Sequence, residues 1–295
     1  MKEYFIAKFD VDKDYDIFVQ DETKYVTPNV SYVEGSGKVY FNPVPKQDYS
    51  KDYLTIVAKS GGHLSFSNKS LMYQINGVIS TRWDVLPSQN NVLTIEAGNK
   101  IFLKKADTAL IGGTLGTFTC SADFDVEGNV MSLLHSDETF YKDNELTVNG
   151  IFKQLFNGCT KLQSAENLIL PATALTDNCY EKMFYNCSSL TKAPTLLAEK
   201  LSNQCYYEMF YGCTSLTNAP ELLAPILLEY SYAYMFYNCS SLNYIKCLAT
   251  SISDTGCLVN WTYGVASSGT FVKDKSTTWP NGGSGIPNGW TVENA

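Results

Sequence analysis

The sequence predicts a mixed α/β and all-β chain in four pieces. These are a small N-terminal β module (1–50), an all-β sandwich-like domain (51–145), a repeat solenoid with one short helix and one short strand per unit (146–250), and a C-terminal cap (251–295). Three observations predict it. A 26-residue pattern recurs in register through the second half, and a fixed period of this size is the mark of a solenoid. The first half carries short alternating apolar runs separated by turn dipeptides. The pattern stops after the last repeat, where three of the four tryptophans gather, and a stack of repeats needs an atypical end to cover its last open face. The chain of 295 residues is 44 % hydrophobic and 18 % charged, which is enough apolar side chain for a core and too little charge for a disordered chain.

The N-terminal module rests on Tyr4-Phe5-Ile6, Ser31-Tyr32-Val33 and Lys38-Val39-Tyr40-Phe41. Gly35 and Gly37 mark a turn between the last two, and Pro43 and Pro45 read as a linker into the next domain. Asp10, Asp12, Asp14 and Asp16 alternate, and Asp21 follows eleven residues after Asp10. That imitates a calcium loop, yet Tyr15 stands where the loop needs glycine and Asp21 where it needs glutamate. A strand with one acidic, solvated face fits the same residues, so no metal site is assigned.

In the second piece, 53–58, 63–67 and 72–75 alternate as strands, with Asn76-Gly77 as a hairpin turn. The runs 92–97 and 100–103 predict a second hairpin around Gly98-Asn99, and 117–126 alternates again. Trp83 is the expected aromatic core residue. Short strands with turns at this spacing suggest a sandwich.

The repeats read LPATALTDNCYEKMFYNCSSLTKAPT (170–195), LLAEKLSNQCYYEMFYGCTSLTNAPE (196–221) and LLAPILLEYSYAYMFYNCSSLNYIKC (222–247), with a degenerate copy at 155–168. Residues 177–187 look helical. Asp177 or Asn178 can cap them, and Cys179, Met183 and Cys187 fall at i, i+4 and i+8 on one face. The stretch 189–195 ends in proline and predicts a very short strand. Stacking places Phe156, Phe184, Phe210 and Phe236 in one column, and Leu162, Leu190, Leu216 and Leu242 in another. Of each Met-Phe-Tyr triplet, only Tyr185, Tyr211 and Tyr237 are expected near the surface. The nine cysteines include two periodic series, Cys159/Cys187/Cys213/Cys239 and Cys179/Cys205, with Ser231 at the next position of the second. A disulfide partner is hardly exchanged for serine in one repeat alone. The series read as buried free thiols, and no CxxC pair supports zinc.

The units FYNCSSLTKAP, FYGCTSLTNAP and FYNCSSLNYIK resemble the BspA-like leucine-rich repeats of bacterial surface proteins and related phage genes. The stretch GTFVKDKSTTWPNGGSGIPNGWTV resembles the segment that follows such repeats in gut-bacterial relatives. KVYFNPVPKQDYSKDYLTIVAKSGGHLSFS resembles their β-rich N-terminal region. The resemblance implies binding and display rather than catalysis, and it carries over no ligand.

Charge narrows the function. The net charge is −8, and Arg82 is the single arginine among 22 basic residues. Nucleic acid needs a basic stripe, and no apolar run approaches a bilayer span, so neither partner is expected. The two histidines, His63 and His135, come without a GxSxG, HExxH or phosphate-loop motif. No catalytic residue and no cofactor is assigned. His135 lies near Ser132, Ser136 and Asp137, but a triad is recognised by geometry.

The candidate binding residues lie on the repeat strands, at positions between the inward ones. Ser164, Lys192, Asn218 and Tyr244 form one row, and Glu166, Pro194, Pro220 and Lys246 another. A tailored recognition ridge would look like this, and so would an ordinary solvated face. A tryptophan of the closing segment, if exposed, could stack on a sugar; the alternative is burial in the cap. The expectation is a non-enzymatic phage fibre or decoration protein, held to other virion proteins by residues 1–50 and touching a host protein or glycan through the solenoid. Its support is free cysteine and the lack of a visible export signal after Met1. The alternative is a cell-surface adhesin whose leader is missing from this sequence. Fibres are commonly symmetric oligomers, although no heptad stretch here specifies one.

Overall fold

The computed structural model describes residues 48–49, 51–68, 71–76, 83–87, 92–106 and 113–295, together with the backbone of three strands nearer the N-terminus. It divides into two compact units, 1–48 and 49–295. The described residues form an all-β-rich fold, mostly strands in sheets. Helix among them is limited to two single 3-10 turns, Val130–Leu133 and Phe140–Lys142.

In the first unit, β1 (Ile6–Ala7), β2 (Tyr25–Val33) and β3 (Lys38–Pro45) pair antiparallel in the order β1-β3-β2. Pro43 and Pro45 therefore belong to a strand, not to the expected linker. The pairing of β2 with β3 slips between Val26 and Asn29. Pro28 and Pro43 lie at this irregularity, where a residue without an N–H breaks no ladder bond. The acidic run Asp10–Asp21 lies outside the described residues.

The second unit holds β4 (Leu54–Ala58), β5 (Gly62–Phe66), β6 (Leu71–Ile75), β7 (Asp84–Val85), β8 (Leu93–Ile95), β9 (Lys100–Lys105), β10 (Phe118–Cys120) and β11 (Phe124–Asn129). They are followed by β12 (Leu162–Ile169), β13 (Tyr244–Cys247), β14 (Thr270–Lys273) and β15 (Thr291–Asn294). Strands β10-β5-β8 form one sheet, β12-β11-β4-β9-β6-β7 a second and β13-β14-β15 a third. The expected hairpin around Gly98-Asn99 is not made: β8 pairs with β5 while β9 pairs with β4 and β6. The turn itself exists, with Gly98 at φ 87 and Asn99 N–H bonded to the Glu96 carbonyl. It carries the chain from one sheet to the other. Trp83 is half-buried against Tyr53 at 5.0 Å, with Lys104 Nζ 4.7 Å from its ring. The core beside it is built from Leu54, Ile56, Phe66, Ile101, Phe118 and Phe124.

Strand β11 pairs in parallel with β12, so one six-stranded sheet bridges the boundary expected at 145/146. A single hydrophobic cluster runs from Leu54 to Trp290.

The expected helix at 177–187 is absent, and the backbone shows why. Every fourth residue takes positive φ: Asn178 (58°), Lys182 (55°) and Asn186 (56°). The same holds at Gln204, Glu208 and Gly212, and at Tyr230, Tyr234 and Asn238. A right-handed helix allows no such residue. Alternate N–H groups close local turns, as from Cys179, Glu181, Met183 and Tyr185 to the carbonyls three residues back. The intervening ones, from Asn178, Tyr180, Lys182, Phe184 and Asn186, donate to carbonyls 25 residues ahead. Each turn segment thus hydrogen-bonds to the next, and the segment is a tier. Five tiers follow one another at 150–158, 178–186, 204–212, 230–238 and 256–264. The strand expected at 189–195 and its counterpart in the next unit shrink to single parallel bridges, Ser164 to Lys192 and Asn218 to Tyr244, while the first and last copies keep β12 and β13. Pro194, expected to face outward, is buried, and Pro220 is half-buried.

The apolar columns form as expected. Phe118, Phe156, Phe184, Phe210 and Phe236 stack at 5.4, 5.6, 5.4 and 5.7 Å. Leu162, Leu190, Leu216 and Leu242 are fully buried. All nine cysteines are free and buried. Cys187, Cys213 and Cys239 point their thiols at the carbonyls of Phe156, Phe184 and Phe210, at 3.1, 3.1 and 3.0 Å. Asp177, expected as a helix cap, accepts instead from Ser202 Oγ and from Asn203 N–H of the next tier.

Candidate functional site

Two surface features arise from this stack. The first is the ridge along the strand positions. Ser164, half-buried in β12, pairs with Asp125 of β11 and bridges to Lys192. Lys192 Nζ lies 2.7 Å from Glu166 Oε2, so the two expected rows meet in an ion pair. Asn218 is exposed and bridges to Tyr244, itself 36 % exposed. Lys246 pairs with Glu221 at 2.6 Å, and a hydrogen bond from its ammonium to Glu221 pushes its pKa up. The structure thus gathers Ser164, Glu166 and Lys192 into one cluster, and Asn218 and Tyr244 into another. Glu221 was not foreseen. Nor were Thr270 and Thr291, which continue the row because β14 and β15 pair beyond Tyr244.

The second feature is a column of tyrosines. Tyr185, Tyr211 and Tyr237 are half-buried and stack on one another. A fourth ring, Tyr263, joins them and is 54 % exposed. The spacings are 4.7, 4.8 and 5.0 Å and the interplanar angles 15°, 8° and 18°. The tier hydrogen bonds set this step, which is close to the 4.7–4.9 Å of any strand ladder. After each tyrosine comes Asn186, Gly212, Asn238 or Gly264, all at positive φ, a conformation that asparagine and glycine accept most readily. Tyr234 lies 5.8 Å from Tyr237, and Tyr207 5.9 Å from Tyr234. Lys182 Nζ is 5.9 Å from the Tyr185 ring, 5.7 Å from the Tyr207 ring and 3.7 Å from Glu208 Oε2. Burial, then the neighbouring phenols of Tyr185 and Tyr237, push the Tyr211 hydroxyl pKa up. Burial and a hydrogen bond with Glu208 do the same for Tyr207. These hydroxyls stay protonated across the physiological range. Sequence reasoning brought three of the four rings to the surface and missed the fourth, although Tyr263-Gly264 repeats the Tyr-Asn/Gly signal 26 residues on.

The remaining candidates resolve into structure. Ser132 is buried; its hydroxyl accepts from Leu54 N–H and donates to the Leu103 carbonyl, both at 2.9 Å. It therefore does not form a triad. His135 Nε2 instead lies 3.1 Å from Asp143 Oδ2, at a cleft of about 230 Å³ that Glu145, Leu146 and Val148 also line. His63 is exposed on β5. Trp261, Trp279 and Trp290 are buried, which removes them as sugar platforms. Trp261 stacks on Tyr232 and Trp279 and donates to the Gly285 carbonyl. Among the described residues no cluster of metal-ligating side chains occurs and no helix is long and apolar enough to cross a membrane.

In comparisons with known proteins, no family model, no curated protein and no solved structure matches the chain.

Proposed function

We propose that this chain is a non-enzymatic recognition and display protein. Its repeats build a solenoid of the BspA-like leucine-rich kind, and its surface rows engage a partner on a host. One observation carries the reading: side chains from successive tiers repeat in register on the outside of a packed stack, as the tyrosine column does at 4.7–5.0 Å. A stack whose core already holds it together needs no aromatic column along its surface for folding. Rigid tyrosines are a favoured means of recognition, because they give large contact area at low entropic cost.

A virion fibre or decoration protein is the form we favour. Nine buried thiols without a disulfide suit a protein that folds in a reducing cytoplasm, as virion proteins do before lysis. Residues 1–50 are then the attachment to the particle, and the solenoid is the presented face. The test is attachment of labelled protein to host cells. Lys192→Glu with Tyr244→Ala, and separately Tyr211→Ser with Tyr237→Ser, should keep the melting temperature near that of the parent. At least one pair should reduce attachment about tenfold or more. Full attachment by both folded variants would remove the two surfaces from consideration, and with them this reading.

A further inference from the structure

We propose that the tyrosine column is the binding line for an extended, unbranched, uncharged polysaccharide, engaged through phenol hydroxyls and ring edges. This deepens the recognition reading and rests on it.

Ring contact decides the chemistry first. In a column with planes only 8–18° apart and centroids 4.7–5.0 Å apart, each inner ring covers its neighbours' faces. A ligand therefore meets edges and hydroxyls, not the open face on which a single sugar stacks. The edge carries the positive side of the ring quadrupole, and a phenol hydroxyl both donates and accepts. Hydroxyl-rich ligands match that set.

Charge decides next. Lys182, whose ammonium lies over the Tyr185 and Tyr207 rings, is paired with Glu208 at 3.7 Å. The strip formed by Tyr185, Tyr211, Tyr237 and Tyr263, with Tyr207 and Tyr234 alongside, thus offers no net charge to a polyanion or polycation.

Repetition decides the length of the ligand. Four like groups repeating every 4.7–5.0 Å gain little from a ligand with one matching group. A ligand that repeats its own hydroxyls along a line engages them together, and each further contact is intramolecular. The repeat of the site predicts a repeat in what it binds.

The experiment uses the full chain and linear oligosaccharide series: cello-, malto-, manno-, xylo- and N-acetylated chito-oligosaccharides, from dimer to octamer, measured by calorimetry. At least one series should bind, with affinity rising about tenfold or more from dimer to hexamer. Tyr211→Phe with Tyr237→Phe keeps the stacked rings and removes two hydroxyls. It should weaken binding about tenfold at an unchanged melting temperature. His63→Ala, at an exposed position of β5 outside both surfaces, should leave it unchanged. Absence of binding by every series, affinity independent of length, wild-type affinity in the phenylalanine pair, or binding confined to a uronic-acid polymer would each overturn the proposal. If no oligosaccharide binds but cell attachment persists and is lost in the ridge variant, the recognition reading stands and this one falls.

Discussion

At Cys213, the thiol is 3.1 Å from the Phe184 carbonyl of the preceding tier, and that same carbonyl accepts the Cys187 N–H. The side chain is a small apolar filler that also supplies a weak donor. The burial of these cysteines was readable from their spacing. The donor role was not, since it depends on a carbonyl 29 residues away. Burial pushes the thiols of Cys159, Cys205, Cys239 and Cys247 up to about 12, against about 8.5 in an unfolded chain. Between these values the unfolded chain has released the proton and the folded chain has kept it. Stability is therefore intact below about pH 8.5 and falls as pH rises, by about 1.4 kcal/mol per pH unit for each such thiol. The melting temperature should be flat from about pH 6 to 8 and drop steadily above about pH 9. A flat profile to about pH 11 would contradict the burial. A thiol reagent at neutral pH should label no cysteine rapidly in the native protein and all nine after denaturation. Phe210, fully buried between Phe184 and Phe236, should cost about 3–5 kcal/mol as alanine. A loss under about 1 kcal/mol in chemical denaturation would contradict the stacked register.

The tier is the element that sequence reasoning placed correctly and named wrongly. Cys179, Met183 and Cys187 do share one buried face. A face that recurs every four residues is shared by an α-helix, at 3.6 residues per turn, and by a run of four-residue turns with positive φ at each fourth position. Over nine residues the two periods cannot be told apart. The residues at those positions held the difference: Asn178, Asn186, Asn238 and Gly212 prefer the left-handed region, whereas Lys182, Glu208 and Tyr234 hide the signal. Asparagine and glycine also alternate from tier to tier. A Cβ on Gly212 would collide with Asn186 Oδ1, and one on Gly264 with Asn238 Oδ1. Each asparagine amide thus occupies the space its following glycine leaves. Gly212→Val should cost about 1–2 kcal/mol or more, from φ strain plus this contact. Gly212→Ala should also destabilise, and Asn186→Gly in the same chain should restore the part of the loss that comes from the contact, leaving the φ strain. Additive effects in a double-mutant cycle of thermal melts would show that the two positions do not touch.

The whole molecule explains why the boundary expected at 145/146 is bridged. The parallel pairing of β11 with β12 crosses from the β-rich half into the repeats, and Phe118 stacks on Phe156 across the same junction. Both contacts are long-range pairings that no local composition shift announces. The fifth tier is similarly hidden, since Trp261 and Thr262 replace the Met-Phe of earlier copies while Tyr263-Gly264 keeps the surface pair. A chain cut at 145/146 should leave two halves that fail to fold separately, because each loses a strand partner and a face of the shared core. Cooperative folding of either half alone would contradict the continuous sheet. The candidate surface residues were legible only in part. Lys192 and Tyr244 lie on the surface where spacing placed them, but the Lys192–Glu166 pair and the four-ring column arise from tier-to-tier stacking.

The most direct test of the central claim is location. An antibody raised to the purified chain is applied to purified phage particles, to washed uninfected cells and to the soluble lysate. Display predicts label on the outside of particles, reached without permeabilisation. Label on uninfected cells would replace the virion with the adhesin form of the same reading. Label confined to the soluble lysate would contradict display altogether.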